Sequence, residues 1–465
     1  MIDVAVIGGG VSGLTVAHEL MLKGRSVTVL ERQVRPGGNA VSERIGDYLM
    51  EHGPSSLKAN VQSAEILSSQ LELHKKRVFL GSGIHYRYLT KSGTIAAIPT
   101  SPFGLLTASY LSLSGRIRLI SEILVSRNKS TNEESVSDFC VRRFGTEFSE
   151  KVIDPLVGGL FAAKATELSM LAAFPALADM ERQYRSVMLG AALKKWKGGQ
   201  MPGRRLFSWE DGIGSLPTAL ALTLGGRLQT GTTVRRIEPV SGEFRIDAGV
   251  KGTFRARSVV IATQPHVTGK FLEVFDKDAA AAAFDIPAPP ISVVFLGYKR
   301  KQVDHPLDGI GYLTPASEGR AVTGSLFCST MYSRRAPDGS VSLTAYIGGS
   351  RQPELALAST QNLISIVREE YRELLSIHGE PEISRIRQWP RGLPQTSLGH
   401  RKRLDTFARS ESMFNGMYLT GNYFSGPGIS ACLERAMETS NRVEAYLQEL
   451  DGTWGQAAAR KDQLS

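Results

Sequence analysis

Residues 4–13 of the chain read VAVIGGGVSG, a short apolar run that leads into a Gly-x-Gly-x-x-Gly loop. The apolar run predicts a buried strand over 3–7, and the residues after the loop predict a helix over 12–22. A second predicted strand over 26–30 ends at the acidic residue Glu31. Strand, glycine loop, helix and acidic residue together indicate a dinucleotide-binding βαβ unit, in which phosphates bind at the helix N-terminus.

The glycines and the acidic residue of this unit each have a predicted task. Gly8 permits the tight turn, and Gly10 lets the backbone approach a pyrophosphate. Gly13 lets the helix pack closely on the sheet. Glu31 is placed to accept hydrogen bonds from the ribose hydroxyls of an adenosine.

The segments that follow Glu31 narrow the cofactor from a dinucleotide to a flavin. Residues 35–38 read RPGG and residues 51–55 read EHGPS. Both segments resemble the extended FAD signature of amine-oxidase-like flavoenzymes, in which a second glycine pair wraps the diphosphate and the flavin side. The resemblance implies FAD as the cofactor. The cofactor-binding residues expected in this chain are Gly8, Gly10, Ser12, Gly13, Glu31, Arg32, Gly37, Gly38, Gly53, Pro54, Ser55, Val234, Gly421, Asn422, Gly428 and Ile429.

The composition is that of an ordinary globular protein with two or three domains. The chain has 465 residues, of which 42% are hydrophobic and 22% are charged. Three widely spaced cysteines argue against a disulfide framework and for a reducing compartment. No residues show metal-ligand spacing, so no metal is expected. No apolar stretch reaches the roughly 18 residues that are needed to cross a bilayer.

The net charge of +10 indicates an anionic partner. No nucleic-acid-binding motif accompanies the charge, so nucleic acid is not expected as a partner. A carboxylated substrate or an anionic membrane surface fits the charge better. The basic residues are densest at Lys194-Lys195-Trp196-Lys197 and at Arg204-Arg205, where a solvated face is the competing interpretation.

The order of the predicted elements indicates an α/β fold with two insertions. We expect a Rossmann-type FAD-binding domain with an inserted mixed-sheet substrate domain and an inserted helical domain. The expected boundaries are 1–60, 200–268 and 386–465 for the FAD-binding domain, 61–99 and 269–385 for the substrate-binding domain, and 100–199 for the helical, membrane-facing domain.

The sequence pattern also predicts elements inside these domains. Alternating apolar residues in the second insertion predict an antiparallel sheet, which can form one wall of a substrate cavity. Predicted strands lie at 231–237, 258–263, 291–298 and 342–347. Predicted helices lie at 114–125, 136–143, 172–195 and about 430–447.

Beyond the cofactor segments, the chain resembles the protoporphyrinogen IX oxidase family nearly from end to end. The ordered matches are residues 87–89 (RYL), 98–102 (IPTSP), 154–162 (DPLVGGLFA), 309–315 (GIGYLTP), 324–327 (GSLF), 346–349 (YIGG) and 421–426 (GNYFSG). So many matches in order are much more specific than the glycine loop alone.

The resemblance implies four substrate-binding residues. Arg87 matches the arginine that pairs with a substrate propionate, and Leu313 and Leu326 match the apolar residues that sandwich a tetrapyrrole ring. Tyr346 matches an aromatic residue that stacks on another ring, where the family commonly has phenylalanine. The competing interpretations are a surface ion pair for Arg87 and plain core packing for the other three.

The resemblance implies oxidation of protoporphyrinogen IX to protoporphyrin IX, with six electrons removed in three flavin cycles. O2 is the implied acceptor, so three O2 are consumed and H2O2 is produced. No Ser/His/Asp or Cys/His arrangement is evident, and no catalytic side chain is expected because the flavin performs the redox step. Three alternatives stay open: oxidation of coproporphyrinogen III, an amine-oxidase-like flavoenzyme of secondary metabolism, and a non-catalytic FAD-binding protein.

The family docks on membranes through its helical insertion. In this chain residues 102–106, together with Tyr110 and Leu111, are the candidate apolar foot, and helix packing is the competing interpretation. We expect a cytoplasmic protein that can lie peripherally on the cytoplasmic membrane. The sequence leaves room for a homodimer.

Overall fold

The computed structural model describes residues 1–59, 61–98, 110–128, 132–196 and 206–462. Three sequence expectations therefore lie outside the described residues. They are the family match over 99–102, the apolar segment 102–106 and the basic pair Arg204-Arg205. Lys197 and the side chain of Lys195, from the other basic run, also lie outside them.

The elements alternate along the chain in the manner of an α/β protein. The strands are β1 Ile2–Ile7, β2 Val27–Leu30, β3 Ser42–Ile45, β4 Tyr48–Glu51, β5 Leu57–Lys58, β6 Arg77–Phe79, β7 Tyr86–Lys91, β8 Thr94–Ile98, β9 Leu206–Trp209, β10 Leu228–Gln229, β11 Arg236–Val240, β12 Glu243–Asp247, β13 Thr253–Ile261, β14 Ile291–Lys299, β15 Gly309–Leu313, β16 Val322–Phe327, β17 Ser340–Gly348, β18 Ile383–Trp389 and β19 Met417–Leu419. The helices are α1 Val11–Leu22, α2 Gln62–Gln70, α3 Leu113–Ile120, α4 Val136–Phe144, α5 Thr146–Phe148, α6 Asp154–Phe161, α7 Met170–Ala173, α8 Pro175–Tyr184, α9 Val187–Trp196, α10 Ser215–Leu224, α11 Pro265–Leu272, α12 Lys277–Phe284, α13 Cys328–Met331, α14 Thr360–Leu375, α15 His400–Met413 and α16 Ile429–Asp462.

The first sheet carries the glycine loop. Its strand order is β10-β2-β1-β13-β12-β11, and β19 pairs with β13 on the other side. Strands β10, β2, β1, β13 and β19 are parallel to their neighbours in this group. Apart from Asp3 near its start, β1 is apolar, because both faces of the sheet are covered. Helices α1 and α16 pack together on this sheet, and Arg25 Nη2 lies 2.8 Å from Glu444 Oε1 between them. The predicted α/β class is confirmed.

The second sheet is the predicted inserted sheet. Its strand order is β18-β14-β17-β16-β15-β7-β8, and all pairs are antiparallel except β15 with β7. One face packs on α14 through buried residues such as Val367 and Tyr371. The opposite face is turned toward the β3–β4 hairpin, where Tyr48 packs on Val293 and Phe295.

A helical part, α3 to α9, lies against the β7 and β8 side of the second sheet. Its core includes Leu119, Phe139 and Phe161, and Leu89 and Leu313 of the sheet pack in the same cluster. Tyr110 and Leu111 are buried in this core, with 4% and 1% of their surface exposed. The prediction that these two residues belong to an exposed apolar foot is therefore wrong, because they pack inward.

Some element boundaries differ from the sequence expectation. The predicted helix over 172–195 is broken by Pro175 at a helix start and by Arg185 in the left-handed conformation. The predicted strand at 231–237 begins only at Arg236, because Gly231 and Thr232 donate their amides to residues beyond β2 instead. The last helix runs fifteen residues past its predicted end. Among the described helices, none combines the length and the apolar content that a bilayer span requires.

Candidate active site

The glycine loop between β1 and α1 has the shape that a phosphate group needs. Gly8 has φ of +108°, and a Cβ atom there would lie 2.7 Å from the carbonyl oxygen of Ala262. A Cβ at Gly13 would lie 2.0 Å from the oxygen of Gly8, so only glycine allows this close packing. A Cβ at Gly10 would meet nothing within 4 Å. The loop is therefore tightly packed at Gly8 and Gly13, whereas free space remains at Gly10, next to the N-terminus of α1.

The acidic residue lies where the sequence predicted it, at the end of β2. One carboxylate oxygen of Glu31 accepts the amide of Gly9 at 2.6 Å, and the other accepts the amide of Gln33 at 2.7 Å. The chain crosses here a second time, because Thr232 donates its amide to the carbonyl of Glu31 at 2.8 Å. This crossing brings the segment that contains Val234 to the same edge of the sheet. Arg32, next to Glu31, is exposed.

The second glycine pair packs directly on the first loop. Gly37 donates its amide to the carbonyl of Gly9 at 2.8 Å, and a Cβ at Gly38 would lie 3.3 Å from the Cα of Gly10. Gly37 and Gly38 both have positive φ, of +108° and +58°. The two glycine segments therefore touch and form one continuous backbone cradle.

The segment after β4, residues 52–56, forms the third side of the cradle and is named here the cofactor loop. A Cβ at Gly53 would lie 2.9 Å from the carbonyl oxygen of Asn39, next to the second glycine pair. Pro54 and Ser55 follow it and are half-buried. The loop therefore connects the glycine cradle to the face of the second sheet.

The N-terminus of α16 lies beside that of α1. Gly421 follows β19 with φ of +152°, Asn422 is half-buried, and a Cβ at Gly428 would meet nothing within 4 Å. Ile429 begins the helix, and Ser430 Oγ accepts the amide of Lys58 at 3.3 Å. Cys432 in the first turn of α16 hydrogen-bonds with Ser12 in the first turn of α1, so the two helix N-termini are adjacent, and each follows a glycine that leaves open space.

These observations fit FAD. The open glycine at α1 suits a diphosphate, the carboxylate of Glu31 suits a ribose, and the second helix N-terminus suits the electron-rich end of a flavin. The residues that would hold FAD are those of the glycine cradle, the cofactor loop and the start of α16.

The four predicted substrate residues share one face of the second sheet. Leu313 pairs with Gly324, and Gly324 pairs with Tyr346, so these side-chain positions lie in one row. Leu326 is two residues from Gly324, and Arg87 is two residues from Leu89, the partner of Leu313. Three strand spacings, about 14 Å, separate the strand of Arg87 from that of Tyr346. This surface is named here the substrate face.

The side chains of the substrate face differ in exposure. Arg87 is exposed at the β7 side, whereas Leu313, Leu326 and Tyr346 are half-buried. Tyr346 Oη donates to the carbonyl oxygen of Gly53 at 3.5 Å, so the predicted stacking residue reaches the cofactor loop. Burial raises the pKa of Tyr346, which keeps the hydroxyl protonated.

Leu313 is seated by glycines on two sides. A Cβ at Gly159 in α6 would lie 2.4 Å from Leu313 Cδ2, and a Cβ at Gly324 would lie 2.8 Å from the same atom. The missing side chains let α6 approach the sheet and fix the side on which Leu313 lies. The helical part thus forms one wall of the substrate face.

Two aromatic residues that the sequence did not assign also hold the cofactor loop. Trp389 Nε1 donates to the carbonyl oxygen of His52 at 2.7 Å, and Tyr332 Oη donates to Ser56 Oγ at 2.7 Å. Trp389 is the last residue of β18, so its position at the loop depends on the register of the second sheet. No local pattern in the sequence signals these contacts.

A family model described as flavin containing amine oxidoreductase matches residues 11–443. The chain belongs to this family. A mitochondrial protoporphyrinogen oxidase of Nicotiana tabacum is 30% identical over 96% of this chain and 95% of its own length. The coproporphyrinogen III oxidase of Bacillus subtilis (strain 168) is 26% identical over 96% of this chain and 98% of its own.

Solved structures show the same fold. A crystal structure from Exiguobacterium sp. 255-15 matches 96% of the chain with a TM-score of 0.81 and 20% identity. The cyclohexylamine oxidase of Brevibacterium oxydans IH-35A matches 96% of the chain with a TM-score of 0.72 and 17% identity. These structures show the shared fold. Membership of the flavin-containing family makes the chain a flavin-dependent oxidoreductase with FAD as its cofactor, and the predictions of an oxidoreductase and of FAD are confirmed.

Proposed function

We propose that this flavoenzyme oxidises protoporphyrinogen IX to protoporphyrin IX. The observation that carries the proposal is the substrate face, an apolar row that ends at the cofactor loop and has a cationic residue at its other side. The names of the relatives, protoporphyrinogen oxidase and coproporphyrinogen III oxidase, support a porphyrinogen as substrate.

The chain's own residues bind and orient the macrocycle. Leu313 and Leu326 contact one pyrrole ring, Tyr346 stacks on another, and Arg87 pairs with a propionate. Apolar walls exclude water from the reacting methylene bridge. FAD, when bound, supplies the two-electron acceptor that the side chains lack.

The overall reaction removes six electrons and six protons from the porphyrinogen. In the proposal O2 takes two electrons and two protons in each of three rounds, so three O2 become three H2O2. We propose a cytoplasmic location for this reaction, and a homodimer as the assembly that size-exclusion chromatography would test.

Coproporphyrinogen III is the second candidate substrate, because a relative with that name matches nearly the whole chain. It carries four carboxylates and would need more cationic groups on the substrate face. An amine substrate is the remaining alternative, since the fold is shared with a cyclohexylamine oxidase.

The test is aerobic turnover of purified holoenzyme with each porphyrinogen, followed by porphyrin fluorescence. We expect faster turnover of protoporphyrinogen IX. Arg87→Ala should raise KM about tenfold or more and leave kcat within about twofold, because a charged hydrogen bond contributes roughly 1.5–3 kcal/mol. Arg385→Ala, an exposed arginine at the other edge of the sheet, is the control and should change neither constant.

Two results would contradict the proposal. Faster turnover of coproporphyrinogen III would show that this tetracarboxylate is the preferred substrate. If neither substrate gives porphyrin fluorescence and an amine reduces the flavin, the enzyme is an amine oxidase.

We also propose that the enzyme lies on an anionic membrane surface through an apolar stripe. The stripe consists of exposed side chains of α3 and of the turn Ser121–Leu124 that follows it: Leu113, Ile117, Ile120, Ile123 and Leu124. Their spacing keeps them on one side of the helix. Helix α9, which packs on that turn, ends at Lys194 and the exposed Trp196, and such residues suit a lipid interface.

A further inference from the structure

Arg387 on β18 is a half-buried arginine without a counter-ion. Its guanidinium carbon lies 4.1 Å from the centroid of the Trp389 ring, and its Nε is buried without a hydrogen-bond partner. No carboxylate of the described residues lies within ion-pair distance of it. A cation taken out of water is costly unless an anion compensates it, and stacking on an indole compensates only in part.

The register of the second sheet directs Arg387 toward the cofactor. Arg387 pairs with Val293, and Val293 pairs with Tyr346, so all three lie on the substrate face. The Arg387 guanidinium stacks on the indole of Trp389, and the Nε1 of that indole donates to the carbonyl oxygen of His52, the residue before Gly53. Arg387 is therefore one contact away from the cofactor loop.

A second unpaired arginine lies in the same region. Arg35, two residues before Gly37, is half-buried and has no ion-pair partner among the described residues. Burial lowers the pKa of Arg35 and the charge of Arg387 lowers it further, whereas the carboxylate of Glu31 acts in the opposite direction.

The neighbouring carboxylates are already engaged. Glu43 Oε2 lies 2.8 Å from His52 Nε2, and Glu31 accepts two backbone amides. The two carboxylates thus equal the two arginines in number, but their hydrogen bonds go to backbone amides and to His52 instead of to either guanidinium. Neither Arg35 nor Arg387 therefore has a directly paired carboxylate among the described residues.

We propose that Arg387, together with Arg35, forms an anion site for FAD. The anion is either the cofactor's diphosphate or the negative charge that the flavin ring gains on reduction. Trp389 holds the Arg387 guanidinium flat and connects it to the cofactor loop. The site rests on FAD binding and not on the porphyrinogen substrate, so the two proposals can fail separately.

The test compares Arg387→Gln and Arg387→Lys with the control Arg385→Gln on the same strand. Two quantities are measured: the dissociation constant of FAD by flavin fluorescence, and the midpoint potential of the bound flavin. If the diphosphate is the anion, Arg387→Gln weakens FAD binding about tenfold. If the reduced ring is the anion, a tenfold loss of preference for the reduced form lowers the potential by about 30 mV.

Each outcome decides the matter. Either change in Arg387→Gln, restored in part by Arg387→Lys and absent in Arg385→Gln, supports the site. Unchanged FAD affinity and unchanged potential overturn it. A rise in the porphyrinogen KM alone also overturns it, because Arg387 would then serve a substrate carboxylate. If Arg387→Gln does not fold, Arg387→Lys is compared with the wild type on the same two measurements.

Discussion

Glu51, the last residue of β4, is a buried carboxyl group directly before the cofactor loop. Ser42 Oγ donates to it at 2.5 Å and the Ile213 amide at 2.9 Å, and burial raises its pKa to about 7. The folded protein thus keeps a proton that the unfolded chain loses near pH 4.5. The free energy of unfolding therefore falls as pH rises from about 4.5 to 7, by on the order of 3 kcal/mol from this group.

Glu51→Gln should remove this pH dependence, because an amide does not titrate. Urea unfolding at several pH values is expected to show the variant gaining stability relative to the wild type between pH 4.5 and 7. The comparison must be a difference, since burial also raises the pKa of Glu370 to about 7. Glu273→Gln, at an exposed carboxylate, is the control. A parallel pH profile for Glu51→Gln and wild type would contradict the prediction.

At the scale of elements, an ion pair fastens α6 to the second sheet. Arg351 donates to the carbonyl of Thr314 at 2.7 Å and to Asp154 Oδ2 at 2.8 Å, and Asp154 also accepts the amide of Ala316 at 2.8 Å. Arg351→Met should lower the free energy of unfolding by about 1–3 kcal/mol because it leaves these acceptors unpaired. The cost should be smaller in an Asp154→Asn background, which a double-mutant cycle in urea measures. Additive effects would contradict the coupling.

Elements that depend on neighbouring residues could be predicted from the sequence, whereas contacts between distant strands could not. The glycine loop, β1 and α1 follow from local patterns, because each depends on neighbouring residues. The row from Leu313 to Tyr346 required the pairing register of strands, and the family resemblance supplied those residues instead. Trp389 and His52 are 337 residues apart, so no local pattern could predict their contact. The prediction of one helix over 172–195 was wrong, because Pro175 and the left-handed residue Arg185 interrupt the chain where the apolar residues keep a helical spacing.

At the scale of the whole molecule, a net charge of +10 and the apolar stripe predict binding to anionic vesicles. Ile117→Glu with Leu124→Glu should weaken co-sedimentation with such vesicles at least tenfold, because each buried apolar side chain contributes roughly 1.5–3 kcal/mol. Val250→Glu, at an apolar residue that is 96% exposed in another part of the molecule, should bind like the wild type. Binding should also weaken with salt. Equal sedimentation of the double variant and the wild type would show that charge alone attracts the protein, and the stripe would then need another partner.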